Sequence, residues 1–183
     1  MKKSRGGFEK STFVGFRDYC LFTLLLDTGM RVSGALSLTL SDIDFQTNIT
    51  LAAKNTKSSR GRYVPFSANS NKNLRELILE VNEMDESRQG LLFLTVYGNP
   101  LPKNVFRKRV KKVAQMNGIK KNVTVYMIRH TFAKMYLMNG GDMFSLQKIL
   151  GHSKIDMVRK YVQFTTEDIS NNHRIFSPLD SIR

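Results

Sequence analysis

The sequence has few of the features on which disulfide-bonded, secreted and membrane proteins depend. It contains one cysteine, Cys20, so an internal disulfide is impossible, and its place in an apolar run predicts a buried hydrophobic residue. That run, residues 19–26, is far too short to span a bilayer. No cleavable signal precedes it, because the preceding segment is basic and polar. We therefore expect a cytoplasmic protein without a membrane partner.

Motifs of several enzyme classes are also missing. The three histidines, His130, His152 and His173, are scattered, without HExxH or a cysteine–histidine cluster of metal-ligand spacing. The phosphate-binding motif GxxxxGK[ST], the dinucleotide motif GxGxxG and the nucleophile motif GxSxG do not occur. We expect no cofactor and no metal, so an enzyme of this sequence would act with side chains alone.

Acidic residues are scarce beside basic ones. The chain has 15 Asp and Glu against 29 Lys and Arg, a formal net charge of +14. Such an excess indicates a polyanionic partner, because basic side chains gain affinity by displacing counterions from phosphates. Nucleic acid is the favoured partner, and an anionic membrane surface is the weaker one, since no basic amphipathic helix stands out. Charge alone says nothing about catalysis.

Length and hydrophobic patterning predict one folded domain. With 183 residues and 41% hydrophobic residues, the chain can form a substantial core. We predict a mainly α fold with a small antiparallel β-sheet (α+β), after a mobile segment at residues 1–15. The expected strands are residues 45–53 and 62–66, joined by a basic loop. Apolar spacing predicts helices at residues 16–27, 31–38, 124–138, 143–150 and 156–164, and further helical faces within residues 74–81 and 105–113.

One of these helices carries many basic residues and no acidic one. Pro102 suits its first turn, and Val105, Phe106, Val110 and Val113 mark its apolar face. The other face either is solvated or contacts phosphate. That face carries Lys103, Arg107, Lys108, Lys111 and Lys112.

Three short motifs and a tyrosine follow one another in a recognisable order. They are TGMRVS at residues 28–33, IRHTFA at 128–133 and LGHS at 150–153, with Tyr161 nine positions after His152. Lys57 precedes a Val64-Pro65 pair, with Lys54 as a nearby rival. Together these residues resemble the catalytic domain of the tyrosine recombinase, or phage integrase, family. The resemblance implies that family's catalytic-domain fold.

The resemblance also implies cleavage and rejoining of DNA through a 3′-phosphotyrosine intermediate, with Tyr161 as nucleophile. Arg31 and Arg129 would hold the non-bridging oxygens, since guanidinium groups bind two oxygens at once and stay charged. Lys57 would protonate the leaving 5′-hydroxyl. His152 would bind a phosphate oxygen or position the tyrosine. Neither ATP nor a metal is needed, because the phosphotyrosine keeps the bond energy.

Tyr126 departs from the family pattern, which usually has histidine three positions before the second arginine. Helical spacing places Tyr126 and Arg129 on one face. A tyrosine can donate to phosphate but is a weaker proton acceptor near neutral pH. The identity of the general base therefore stays open. We interpret the neighbouring His130 as a hydrogen-bonded structural residue, and Ile128, Phe132 and Met135 as a core stripe.

The matches divide the chain and define its partners. Residues 16–164 correspond to the catalytic domain, without the N-terminal domain that relatives carry, and residues 165–183 to a tail that docks on a neighbouring protomer. The implied partners are double-stranded DNA and further copies of the chain, in a tetrameric synapse. We expect bacterial or phage origin and integration or excision of a mobile element. Xer-like dimer resolution and a catalytically impaired DNA-binding relative remain alternatives. The expected DNA contacts are Lys54, Arg60, Lys103, Arg107, Lys108 and Lys111.

Overall fold

The fold is mainly helical with one small sheet, as predicted. The computed structural model describes residues 7–46, 48–51, 62–82, 90–161 and 166–181. Three strands, β1 Ile43–Asp44, β2 Asn48–Leu51 and β3 Arg62–Pro65, form an antiparallel sheet in the order β1-β2-β3. The helices are α1 Phe13–Thr28, α2 Val32–Leu36, α3 Ala68–Asn82, α4 Lys103–Met116, α5 Val125–Met138, α6 Met143–Leu150, α7 Asp156–Arg159, α8 Thr166–Phe176 and α9 Pro178–Ser181.

Helix α1 is the central element and leads directly into the first motif. Thr12 caps its N-terminus, with the hydroxyl accepting a hydrogen bond from the Gly15 N–H at 3.1 Å. Gly29 ends it in the left-handed conformation, with φ of 61°. A Cβ at Gly29 would collide with the ring of Phe132 on α5, so glycine also permits close packing here. The cap sets the direction in which the chain reaches Arg31.

The sheet is shorter than the sequence predicted. The register pairs Ile49 with Val64 and Leu51 with Arg62. The predicted first strand, residues 45–53, was wrong at its start, because the chain turns at residues 45–46. The short strand β1 precedes that turn and pairs Ile43 with Ile49. Residues 52–61, which include Lys54, Lys57 and Arg60, lie outside the described residues.

Two separate hydrophobic clusters divide the molecule. The larger combines α1, α3, α4 and the sheet around fully buried residues such as Leu21, Leu24 and Phe106. The smaller joins α5, α6 and α7. Its buried members are Ala133, Leu137, Leu146, Leu150, Val158 and Tyr161. The predicted nucleophile is therefore part of the smaller core.

A buried charge cluster ties α4 to α1. Arg17 and Asp18 are adjacent on α1 and are 2% and 0% exposed. Arg17 Nη2 lies 2.6 Å from Asp18 Oδ1, and Arg17 Nη1 donates to the Leu94 carbonyl at 2.6 Å. Arg109 of α4 pairs with the same carboxylate. The basic helix thus has an acidic partner from another helix, and Arg109 is drawn away from its basic face.

Several predicted helix boundaries and faces need correction. The second helix spans residues 32–36 instead of 31–38, and α7 ends at Arg159, where the Tyr161 N–H turns back to the Val158 carbonyl at 2.9 Å. Met135 is 53% exposed and Val105 38% exposed, so neither belongs to the core. The buried residues of α5 instead include Ile128, Arg129, Ala133 and Leu137.

Both ends of the described chain pack partly against the rest. Within the segment predicted to be mobile, the rings of Phe8 and Phe22 lie 5.7 Å apart, and α1 already begins at Phe13. In the tail, Ser177 between α8 and α9 is buried. Of the helices that the structure describes, none has both the length and the apolar character to cross a membrane.

Candidate active site

Five of the predicted catalytic residues line a single cavity of about 290 Å³. They are Arg31, Tyr126, Arg129, His152 and Tyr161. These residues come from the start of α2, from α5, from the turn after α6 and from the turn after α7. The structure therefore brings together positions that lie up to 130 residues apart in the sequence. Lys57 lies outside the described residues, so its place relative to this cavity is still a prediction.

Arg129 is the most tightly held residue of the cavity. Its side chain is almost fully buried, and Nη1 donates to the Gly29 carbonyl at 2.6 Å. Nη2 donates to the Leu150 carbonyl at 3.0 Å and lies 2.7 Å from His152 Nε2. The two carbonyls belong to the ends of α1 and α6, where helix carbonyls have no N–H partner within their own helix. The guanidinium is thereby fixed in orientation before any ligand arrives.

His152 is oriented by the same hydrogen bond. Gly151 ends α6 in the left-handed conformation, with φ of 65°, and His152 follows it directly. Because a guanidinium group only donates, His152 Nε2 must accept from Arg129. The neutral ring then carries its proton on Nδ1. His152 is thus held in one tautomer beside Arg129.

Arg31, in the first motif, lines the same cavity as Arg129. It is the residue that precedes α2, with extended backbone angles of φ −71° and ψ 138°. Burial lowers the pKa of Arg129, and the nearby charge of Arg31 lowers that pKa further. Arginine nevertheless stays protonated in proteins. The Arg129 hydrogen bonds described above go to neutral groups, so two positive charges meet here in a place suited to an anion.

Tyr161 combines a buried ring with contacts to charged and polar neighbours. It is 5% exposed, and its ring stacks on His152 with centroids 6.0 Å apart and planes 12° apart. Burial raises the pKa of Tyr161, as does its hydrogen bond with Tyr126, while Arg129 acts in the opposite direction. A raised pKa means that the neutral hydroxyl is favoured. As the predicted nucleophile, Tyr161 would be protonated at rest and would need an anion-stabilising neighbour to react.

Tyr126 stands at the mouth of the cavity. It is 65% exposed and also borders a second cavity of about 320 Å³ along α4. A hydrogen bond with Tyr126 contributes to the raised pKa of Tyr161. At the position where the family usually has histidine, this chain therefore has a phenol next to Tyr161, the predicted nucleophile.

The basic face of α4 borders both cavities. Lys103 and Arg107 line the first, and Arg107, Lys108 and Lys111 line the second. All four side chains are exposed. These four predicted DNA contacts thus form a continuous rim beside the cavity that holds Tyr161.

Sequence analysis missed several residues of the cavity wall. Met30, Ser33, Met157 and Lys160 line it as well. For Lys160, its place next to the predicted nucleophile and its positive charge were the available signals. In the part of the chain that the structure describes, we find no group of three or more His, Cys, Asp or Glu side chains placed to hold a metal ion.

Comparisons with known proteins find relatives that match most of this chain. The phage integrase family model matches residues 9–168. The chain is 28% identical over 181 residues to tyrosine recombinase XerD of Listeria innocua, covering 97% of this chain and 60% of that protein. It is 37% identical over 143 residues to a probable integrase/recombinase of Acholeplasma phage L2, covering 76% of this chain and 46% of that protein.

A solved structure shows the same fold. XerH site-specific recombinase bound to its difH substrate, in a pre-cleavage complex, superposes with a TM-score of 0.74 and 25% identity. The match covers 92% of this chain and 49% of XerH. The chain thus spans about half the length of the relatives it matches. The family model covers most of the chain, and the fold agrees, so the chain belongs to the phage integrase family.

Proposed function

We propose that this chain cuts and rejoins double-stranded DNA in site-specific recombination, through a 3′-phosphotyrosine intermediate on Tyr161. The observation that carries the proposal is the meeting of Tyr161, Arg31 and Arg129 in one cavity. A phosphodiester brings the negative charge that two adjacent guanidinium groups favour. A buried tyrosine beside them supplies the nucleophile. The family membership and the DNA-bound XerH neighbour support the same reaction.

The proposed reaction exchanges one ester for another. The Tyr161 hydroxyl loses its proton as its oxygen bonds to phosphorus, and the bond from phosphorus to the 5′-oxygen breaks. The proton lost by Tyr161 balances the one that the 5′-oxygen gains. Arg31 and Arg129 stabilise the charge that develops on the non-bridging oxygens. Lys57 gives the leaving 5′-oxygen its proton, as the family resemblance implies. His152, held by Arg129, stacks on the Tyr161 ring, and the family resemblance implies that it contacts the phosphate or positions the tyrosine. Rejoining reverses these steps, without ATP or a metal.

The rim of α4 supports a DNA partner. Lys103, Arg107, Lys108 and Lys111 are exposed and unaccompanied by acidic residues on their own helix. Such side chains bind phosphates by releasing counterions, so affinity should fall steeply with salt. Lys54 and Arg60 are proposed as further contacts from the basic loop. The protein would then act in the cytoplasm on chromosomal or element DNA.

Two biological roles fit this reaction. Integration or excision of a mobile element is favoured by the phage L2 relative, which has the higher identity of the two described above. Xer-like resolution of DNA dimers is favoured by the XerD relative, which matches 97% of the chain. The departure at Tyr126 is the observation behind the remaining alternative, a catalytically impaired DNA-binding relative.

We also propose the domain organisation that the sequence predicted, with residues 16–164 as the catalytic domain. The tail, residues 165–183, would dock on a neighbouring copy within a tetramer on DNA. Its exposed apolar side chains support this docking. Ile175, Phe176 and Leu179 are 69%, 63% and 81% exposed. Apolar side chains so close together are typical of a contact surface.

A covalent-capture experiment tests the proposed reaction. The chain is incubated with nicked duplexes that carry the genomic sequences flanking its gene, and products are separated on a denaturing gel. We expect a protein–DNA adduct that disappears in Tyr161→Phe. If DNA binds but the intact chain forms no adduct, the enzyme proposal is wrong. An adduct that persists in Tyr161→Phe would show that another residue is the nucleophile.

A further inference from the structure

His130 has no place in the reaction described above, yet its ring lies beside the predicted nucleophile. The centroids of the His130 and Tyr161 rings are 5.2 Å apart, with their planes tilted by 56°. The His152 and Tyr161 centroids are farther apart, at 6.0 Å. Aromatic pairs at such distances prefer tilted or offset arrangements, and each ring helps to fix its partner. The exposed His130 therefore makes a specific contact with Tyr161.

Helix α5 presents two consecutive residues to Tyr161 in different ways. Successive residues of an α-helix point about 100° apart, as 3.6 residues per turn requires. Arg129 accordingly points into the protein, at 4% exposure, and acts on the Tyr161 hydroxyl. His130 points outward and contacts the ring. His152 lines the cavity, whereas His130 lies outside its wall.

The described backbone that leads into Tyr161 is a short helix followed by a turn. Helix α7 has only four residues and ends at Arg159. The Tyr161 N–H makes one turn-type hydrogen bond, to the Val158 carbonyl at 2.9 Å. The direction of the phenol then depends on what packs against its ring. Attack on phosphorus requires the tyrosine oxygen to approach along a defined line, so a ring free to swing would react slowly.

We propose that His130 is a positioning residue, which holds the Tyr161 ring in the orientation for attack. The inference rests on the proposed function of Tyr161, whereas the contact between the His130 and Tyr161 rings does not depend on that function. The contact joins ring to ring, so its effect depends on the shape of the His130 side chain. Phenylalanine at this position keeps a flat ring without nitrogens and preserves much of the contact. Alanine removes it.

Two measurements on the full chain test this role. The protein is labelled with 3-fluorotyrosine, and the Tyr161 fluorine signal is the one missing from Tyr161→Phe. We expect His130→Ala to move that signal toward its position in unfolded protein, and His130→Phe to move it less. Met138→Ala, at an exposed position on the same helix, is the matched control and should leave it in place.

The second measurement is single-turnover cleavage at saturating DNA. His130→Ala should lower the rate about tenfold, because a displaced nucleophile loses its alignment. DNA affinity should stay unchanged, and His130→Phe should recover most of the rate. Equal loss in His130→Phe and His130→Ala would overturn the positioning role, since the ring nitrogens would then be the essential feature. An unmoved fluorine signal in His130→Ala would overturn it too. If the intact chain forms no adduct at all, the proposed function fails, and the fluorine signal still decides whether the contact exists.

Discussion

Arg129 and Arg107 line the same cavity, but their surroundings could hardly differ more. Arg129 is 4% exposed and held by the Gly29 and Leu150 carbonyls and by His152. Arg107 is exposed on the face of α4, among other basic side chains. A guanidinium fixed in advance can stabilise charge in a transition state without reorganising. An exposed one adapts to a passing phosphate and contributes mainly to affinity.

This difference suggests that the buried residues of the cavity act in cleavage and that the exposed residues of α4 act in DNA binding. Tyr161 belongs to the smaller core of α5, α6 and α7, and Arg129 is held by carbonyls at the ends of α1 and α6. The adaptable residues project from α4, which is anchored to the larger core by Phe106 and Val110 and to α1 by the Arg109–Asp18 ion pair. We therefore expect substitutions in the first group to change the rate of cleavage. Those in the second should change the affinity for DNA and its dependence on salt.

The largest effect is expected from Arg129→Ala. Loss of one preorganised donor to a developing oxyanion costs roughly 10²–10³-fold in rate. The variant should also be less stable, by about 1–3 kcal/mol, because buried carbonyls lose their donor. Single-turnover cleavage and urea unfolding measure the two effects. Arg129→Lys is the informative companion, since it keeps the charge and loses the fork. A cleavage rate in Arg129→Lys equal to that of the parent would show that orientation is unimportant.

The hydrogen bond between Arg129 and the Gly29 carbonyl can be disturbed without replacing a charged residue. Gly29→Ala puts a side chain on a residue with φ of 61° and into the ring of Phe132. We expect a loss of about 1–3 kcal/mol in stability from the strained backbone alone, and slower cleavage because the Gly29 carbonyl moves. Gly34→Ala is the matched control. A Cβ there meets nothing within 4 Å, so stability should stay the same or rise. Equal unfolding midpoints for both variants would contradict this account.

Much of this arrangement was predictable from the sequence, and the limits have a physical cause. Arg31, Arg129, His152 and Tyr161 stand in short ordered motifs, and the spacing of Tyr126 from Arg129 places it on the same helical face. Cleavage of a phosphodiester requires such residue types, so short sequence motifs are enough to predict the residues of the site.

Contacts between distant segments were not predictable. Arg17 reaches Leu94 across 77 residues, and the His130–Tyr161 contact depends on how α7 packs against α5. Helical spacing shows which residues share a face, but which face is buried depends on neighbours that only the fold supplies. For that reason the prediction that Met135 belongs to the core was wrong.

A smaller effect is expected at the rim. Lys108→Ala with Lys111→Ala removes two positive charges from the second cavity. Affinity for DNA should fall several-fold, and the slope of log affinity against log salt should decrease by about 0.9 for each phosphate that the protein no longer neutralises. Cleavage at saturating DNA should change far less. Lys112→Ala is the matched control, because Lys112 is exposed on α4 but lines neither cavity. A loss of cleavage rate as large as that of Arg129→Ala would show that the exposed residues of α4 act in cleavage as well as in DNA binding.

The smallest change is the most informative about the missing histidine. Burial raises the pKa of Tyr161, and the hydrogen bond with Tyr126 raises the pKa further. The nucleophile should therefore ionise at higher pH than free tyrosine, and the cleavage rate should rise with pH across the range where the protein is folded. Tyr126→Phe removes the Tyr126 hydroxyl and this hydrogen bond, which lowers the pKa of Tyr161 and moves the rising part of the profile to lower pH. Cleavage rates of both proteins, measured from about pH 6 to about pH 9 on the acid side of the tyrosine titration, test the shift. The variant should therefore be faster than the parent at each pH in this range. If Tyr126→Phe is slower at every pH, the hydrogen bond with Tyr126 does not hold back the ionisation of Tyr161, and the Tyr126 hydroxyl instead assists the reaction.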